Sequence, residues 1–281
     1  MNSRPKLGQN FLIDAQAVER VAAALGDLKG RTVVEIGPGR GAITGVLAAR
    51  ASHVVAVEFD RELASRLREQ FPSARVTVVQ QDVLDFDFSA VDKGLSSAPA
   101  GKLCVAGNLP YYITSPILLK LAASHAALDL AVLMVQREVA DRIVAQPGSR
   151  DYGLLSVTVQ MYGPVERLFT LSPRAFSPPP EVHSTVFRWR FAPRFDELGV
   201  MEDTFLRFVR SAFAQKRKTL ANNLRAAGFD TKAATAALTA ADVSPQARAE
   251  TLPLETFAAL WRFLQAVDPG LSTQTGTSSA R

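Results

Sequence analysis

Short apolar runs alternate with stretches of helical periodicity through the first two-thirds of the chain. The runs Thr32–Ile36, His53–Glu58, Arg75–Gln81, Lys102–Gly107 and Leu130–Gln136 are strand-sized and nearly continuous in apolar character. Strands buried on both faces read this way. Between them Arg61–Gln70 and Pro116–Ser124 are spaced as helices. Ahead of the first run, Asp14–Leu25 carries Val18, Val21, Ala22 and Leu25 at helical spacing, with Gly26 placed to end the helix. Strands alternating with helices predict a mostly parallel sheet with helices on both faces. After Gly153 the pattern changes. Leu155–Tyr162 and Ser184–Phe191 read as two further strands, seven in all, joined through a link containing Pro173, Pro178, Pro179 and Pro180. They would extend the sheet as an antiparallel pair. From Pro193 onward the pattern is helical. Phe205, Phe208, Val209, Ala212 and Phe213 form a buried stripe, and Lys218–Ala227, Lys232–Leu238 and Glu255–Gln265 follow. The expected organisation is an α/β domain over residues 1–192, a small all-α domain over 193–267 and a disordered polar tail over 268–281.

Composition narrows the function. The 281 residues suffice for one large and one small domain, and 47% hydrophobic with 21% charged is an ordinary globular mix. No apolar run approaches the ~18–20 residues that span a bilayer, and MNSRPKLGQNFL has no apolar core of the signal-peptide kind. The expectation is a soluble cytoplasmic protein without membrane contact. One cysteine, Cys104, excludes an intramolecular disulfide, and the three scattered histidines make a metal site improbable. The net charge of +5 is mild, but its distribution is not even. Between Thr204 and Phe229 stand Arg207, Arg210, Lys216, Arg217, Lys218 and Arg225 and no acidic residue. A one-sign stretch within a helical pattern is what a polyanion-binding face requires.

In a doubly wound sheet, ligands bind beyond the C-terminal strand ends. Four successive strands here end in polar or glycine-rich sequence: Glu35-Ile-Gly37-Pro-Gly39-Arg-Gly41, then Glu58, then Asp82, then Asn108-Leu-Pro-Tyr111. The glycines let the backbone turn tightly against a ligand. Glu58 follows Gly37 by 21 residues, the distance at which a carboxylate reaches ribose hydroxyls. With Ala42 the turn also satisfies the looser dinucleotide form G-x-G-x-x-A, so a nicotinamide-dependent oxidoreductase competes. Against it, Glu35 stands where a dinucleotide site has a small or apolar residue, and no histidine near a strand end offers an acid or base. Glu35 suits a ligand with a cationic amine, such as the methionine part of S-adenosylmethionine. Asn108-Leu-Pro-Tyr111 suits methylation of an exocyclic amine on a base. That amine is a poor nucleophile until acceptors draw its N–H groups toward a tetrahedral geometry. The Asn108 side-chain oxygen and a backbone carbonyl at Leu109 or Pro110 would provide two, and Tyr111 a flat face for stacking.

These residues together resemble the ribosomal RNA adenine dimethyltransferase family, most closely its KsgA-type branch acting on small-subunit rRNA. The likeness runs from Lys6 to about Leu264. It includes Gly8-Gln-Asn10-Phe-Leu12, Gln81-Asp82, Gln136-Arg-Glu-Val139, Tyr152-Gly-Leu-Leu-Ser156, Phe176-Ser-Pro-Pro-Pro180 with Val182 and Ser184, and Lys216-Arg-Lys-Thr-Leu220. The resemblance implies a Rossmann-like S-adenosylmethionine-dependent methyltransferase fold. Asn10 and the Leu12 backbone would contact the cofactor from the N-terminal segment, Gly37 its methionine part, Glu58 its ribose and Asp82 its adenine. Asn108 would sit where cofactor and base meet, and Phe176 would join Tyr111 in sandwiching a flipped adenine. The basic helical domain would hold the rRNA backbone. Dimethylation of two adjacent adenosines near the 3′ end of 16S rRNA follows, by a monomer acting on the 30S pre-ribosomal particle. Arg40 and Tyr112 depart from the residues usual at their positions. Two alternatives stay open: a macrolide-resistance enzyme of large-subunit rRNA, and an assembly factor whose methylation is secondary.

Overall fold

The computed structural model describes residues 10–93, 101–268 and 271. Gly8 and Gln9 of the N-terminal motif, and almost all of the tail at 268–281, lie outside them. Two units divide the chain. One comprises the residues up to Asp141 together with Tyr162–Ala192; the other comprises Arg142–Met161 and the residues from Pro193.

The first unit is built on a seven-stranded sheet of order β4-β3-β2-β5-β6-β9-β7. Its strands are β2 (Thr32–Ile36), β3 (His53–Glu58), β4 (Val76–Gln80), β5 (Leu103–Asn108), β6 (Leu128–Gln136), β7 (Val165–Leu171) and β9 (Ser184–Arg190). The first five run parallel, and β9 and β7 close one edge antiparallel. Helices α1 (Ala15–Ala24), α2 (Ala42–Arg50), α3 (Arg61–Gln70) and α4 (Thr114–Ala123) alternate with the strands, so β2 and β3 are buried at every residue. Asp14 and Asp60 cap α1 and α3 by accepting backbone N–H groups of their first turns. A second sheet pairs β1 (Phe11–Leu12) with β8 (Phe176–Ser177), tying the N-terminal segment to the core.

The chain passes from β2 out through β3 to β4, then returns to the other side of β2 as β5. The sheet therefore has its switch point between β2 and β5, where connections leave in opposite directions and open a crevice. Gly107 makes the two strands' close approach possible: a Cβ there would stand 2.7 Å from the Ile36 carbonyl oxygen. Gly107→Ala is expected to cost about 1–3 kcal/mol by overpacking, read as a lower midpoint in urea unfolding. An unchanged midpoint would mean that β5 slides freely.

One strand expectation is corrected. Leu155–Tyr162 is not a strand; α6 (Leu154–Met161) occupies it, after α5 (Arg137–Val144), and the seventh strand is β7. Val157, Thr158 and Val159 favour a strand locally, but Leu155–Val159 and Met161 are all buried, so no period of exposure marks the helix. Tertiary contacts set the outcome. Ser156 Oγ donates to the Arg142 carbonyl and accepts the Gly153 N–H, and one turn later Gln160 Nε2 donates to the carbonyls of Ile143 and Ala145. The true strand is masked because β7 lies at an edge, exposes Glu166 and Arg167, and shifts register between Arg167 and Phe169.

In the second unit, α7 (Glu202–Ala212), α8 (Leu220–Ala226), α9 (Thr231–Ala240) and α10 (Leu254–Val267) pack around aromatic side chains. Phe205, Phe208 and Phe257 are fully buried, and the Phe208 and Trp261 rings stack with centroids 5.1 Å apart. Helix α8 begins at Leu220, with Thr219 Oγ1 accepting the Asn222 N–H. Lys216, Arg217 and Lys218 accordingly lie in the exposed turn before α8 rather than on a helix, a second correction to the expected pattern. The cause is local: the Lys218 N–H closes that turn onto the Gln215 carbonyl, and the Asn223 amide holds it by donating to the carbonyls of Ala212 and Gln215.

Candidate active site

A cavity of about 390 Å³ lies at the switch point, lined by the C-terminal ends of β2, β3, β4 and β5 and by the N-terminal strand. Asn10, Leu12, Gly37, Glu58, Asp82, Asn108, Leu109, Pro110 and Tyr111 all line it, as do Glu35 and the glycine turn. Residues distant in sequence meet here because parallel strands deliver their ends to one edge: Ile36 is level with Gly107 and Glu58 with Gln80.

The glycine turn and the acidic strand end are one device. Glu58 Oε2 accepts the Gly39 N–H at 3.0 Å and Oε1 the Asp60 N–H at 2.9 Å. Gly39 has φ 58°, and a Cβ on it would come within 2.9 Å of the Phe11 ring. Burial pushes the Glu58 carboxyl above its usual pKa, against the pull of these backbone donors. Asp82 Oδ1 accepts the Leu84 N–H at 2.9 Å, which closes its loop at the cavity wall. Arg40 lies over the Phe11 ring at 4.4 Å.

Asn108 is the most informative residue. Its Nδ2 donates to the Asn10 carbonyl at 2.9 Å, which fixes the amide's orientation. Its Oδ1 is buried and, among the described residues, has no hydrogen-bond partner. A buried acceptor left unpaired costs about 1–3 kcal/mol, so a donor is expected to fill it when the site is occupied. The Pro110 carbonyl is already engaged by the Ile113 N–H and Thr114 Oγ1. Of the two carbonyls considered as the second acceptor, Leu109 is therefore the one left. Tyr111 is half-buried, its hydroxyl bonded to Ser184 Oγ at 2.7 Å.

Of the catalytic and cofactor-binding candidates, Phe176 alone does not line the cavity. It is 2% exposed, belongs to the hydrophobic core and pairs with Leu12 across β1 and β8. There it anchors the strand that delivers Asn10. Residues that sequence reasoning passed over are Phe11 and Phe59, both on the cavity wall, and the Ser184 hydroxyl. Phe59 is 61% exposed, and its only signal in the sequence was a large aromatic directly after the strand-ending Glu58.

The description ribosomal RNA adenine dimethylase matches residues 1–266. The chain belongs to the ribosomal RNA adenine dimethylase family. Ribosomal RNA small subunit methyltransferase A of Acidobacterium capsulatum is 58% identical over 93% of this chain and 91% of its own, and that of Koribacter versatilis 49% over 94% and 96%. Among solved structures, a dimethyladenosine transferase from Plasmodium falciparum shares the fold at TM-score 0.74 and 23% identity, covering 89% of this chain and 95% of that one. The 23S rRNA methyltransferase ErmE is 26% identical at TM-score 0.66, covering 91% and 100%.

Members of this adenine dimethylase family use S-adenosylmethionine, and the cavity fits it. The left-handed glycine turn and the start of α2 offer room and N–H groups to the methionine part, Glu58 and Asp82 offer acceptors, and Glu35 offers a counter-charge. When bound, the cofactor supplies an electrophilic methyl group on a sulfonium. Glu35 is 1% exposed and accepts from Thr44 Oγ1 at 2.5 Å. Burial pushes its carboxyl up from 4.5 to about 7; the Thr44 bond opposes this and the Glu58 charge adds to it. The folded protein thus holds this proton more tightly than the unfolded chain. The resulting stability is complete below pH 4.5 and is lost as pH rises through about 7. Glu35→Gln in the cofactor-free dimethylase should remove this loss, worth ~3 kcal/mol. Denaturant unfolding at pH 5 and pH 8 checks it; a variant with the wild-type pH dependence would contradict it. A cation in the cavity favours the charged form, so cofactor affinity should rise with pH through the same window.

In the second unit of this dimethylase, Arg210 stands in the last turn of α7, Lys216–Lys218 in the exposed turn and Arg225 in the last turn of α8. Arg207 leans back, its Nε donating to the Asp203 carbonyl at 3.3 Å. Among the described residues no group of histidine, cysteine and carboxylate side chains could hold a metal, and no helix is long and apolar enough to cross a membrane.

Proposed function

We propose that this enzyme transfers methyl groups from S-adenosylmethionine to N6 of two adjacent adenosines near the 3′ end of 16S rRNA, two to each base. The observation that carries the reading is the unpaired, oriented Asn108 Oδ1 on the wall of a cavity fitted to the cofactor. With the base flipped out of its stack, Asn108 Oδ1 and the Leu109 carbonyl accept from the N6 amine. They raise its lone pair out of conjugation with the ring. Bound S-adenosylmethionine would supply the methyl group to that lone pair, leaving as S-adenosylhomocysteine, and the surplus proton would pass to solvent. No general base of high pKa is required. For the second transfer one N–H remains, so a single acceptor suffices and the other must tolerate a methyl group. Tyr111, tethered through its hydroxyl, offers the stacking face, and Phe176 holds Asn10 in place from the core. Asn10, Leu12, Gly37, Glu58 and Asp82 hold the cofactor, while Arg207, Arg210, Lys216, Arg217, Lys218 and Arg225 hold the rRNA backbone.

High identity to small-subunit methyltransferases over almost the full length supports the 16S substrate. We place the enzyme in the cytoplasm, acting as a monomer on 30S pre-ribosomal particles. The test is methyl transfer from labelled S-adenosylmethionine to under-methylated small subunits, followed by digestion to nucleosides. N6,N6-dimethyladenosine is expected. Label confined to large-subunit RNA would transfer the assignment to the resistance-type activity that ErmE represents.

A further inference from the structure

Two consecutive tyrosines lead the single 3-10 turn at Tyr111–Ile113, and their surroundings differ sharply. With three residues per turn, adjacent side chains of such a turn diverge by about 120°. Tyr111 is half-buried and its hydroxyl is bonded to the fully buried Ser184. Tyr112 is 61% exposed yet lines the same cavity, together with Asp82 and Glu58. Those two carboxylates mark the ribose and adenine end of the cofactor's bed. Phe59, equally exposed, follows Glu58 on the cavity wall. One turn thus presents a fixed ring toward the core and an outward ring above the acidic end of the cavity.

We infer that Tyr112 is a cofactor-binding residue that roofs the adenosine half of S-adenosylmethionine, leaving the target adenine to Tyr111. An exposed aromatic face next to a purine contributes by stacking, and it does so without hydrogen-bond geometry. Its removal therefore weakens both the methylated cofactor and the spent one. The enzyme makes four transfers per rRNA under the proposed reading and must exchange cofactor between them, so this ring also sets the exchange rate.

The inference rests on the cavity being the cofactor site, and one titration separates the two claims. Binding of S-adenosylhomocysteine to the full-length protein is measured by calorimetry for wild type, Tyr112→Phe, Tyr112→Leu and Tyr112→Ala. Wild type binds if the cavity reading holds; no binding overturns that reading. About ten-fold weaker binding is expected for Tyr112→Ala and Tyr112→Leu, the size of one base–aromatic stack. Tyr112→Phe should stay within about two-fold, and all variants should share the wild-type unfolding midpoint. Equal affinity in wild type and Tyr112→Ala overturns the inference. So does unchanged cofactor binding with a raised KM for rRNA, which would assign the ring to the target base.

Discussion

Asn108→Ala is expected to slow methyl transfer by about 10²–10³-fold, the loss seen when one preorganised hydrogen-bonding group is removed from a transition state. The argument rests on both ends of the amide. Nδ2 is spent on the Asn10 carbonyl, so Oδ1 cannot rotate away from the cavity, and Oδ1 has no partner within the protein's described residues. An acceptor so placed does little for a resting site and much for an amine that must localise its lone pair. The loss should therefore fall on kcat, with rRNA affinity close to wild type and the unfolding midpoint little changed. Single-turnover assays with saturating cofactor read this directly. Asn108→Asp is the informative companion: it keeps an acceptor but cannot donate to Asn10, so it should lose orientation and add a charge near Glu35. Retained turnover in Asn108→Ala would remove the acceptor from the mechanism.

Reversing Lys216, Arg217 and Lys218 to glutamate is expected to weaken rRNA binding by at least about 100-fold at low salt. The slope of log affinity against log salt should fall by about two to three, near one unit for each phosphate that is no longer neutralised. These side chains stand in an exposed turn that the buried Asn223 amide fixes from beneath, so changing them leaves the core intact. Cofactor binding should not change. Filter binding of rRNA between about 50 and 200 mM salt, a range wide enough to define the slope, separates the cases. An unaltered slope would make this turn an ordinary solvated surface.

Much of the α/β unit was legible because parallel strands buried on both faces are written as unbroken apolar runs. Thr32–Ile36 and His53–Glu58 match residue for residue, as does helix Arg61–Gln70. The strand-end residues were legible for the same reason: where an apolar run stops at Glu58 or Asn108, the stop marks the sheet edge at which ligands bind. Legibility failed where burial or edge position erased the period. Helix Leu154–Met161 is buried nearly all round and β7 is half-exposed and bulged, so neither shows the spacing of its own structure. Phe176 is a different case. Its motif pointed to the site, and the structure shows it paired with Leu12 in the core, a placement that no local pattern announces.

By itself, then, the sequence determined the five parallel strands, the four polar or glycine-rich strand ends and the basic stretch. These depend on local periodicity and on which residue types stand where periodicity stops. Only the tertiary structure decided that Asn108 Oδ1 has no partner among the described residues, that the Pro110 carbonyl is already engaged, and that Tyr111 and Tyr112 face different surroundings. Each of those turns on how neighbouring segments meet, most of them far apart in the chain: Asn108 with Asn10, Tyr111 with Ser184, Tyr112 with Glu58 and Asp82 around one cavity. Such meetings are set by how strands and turns pack in three dimensions, and spacing along the chain carries no record of them.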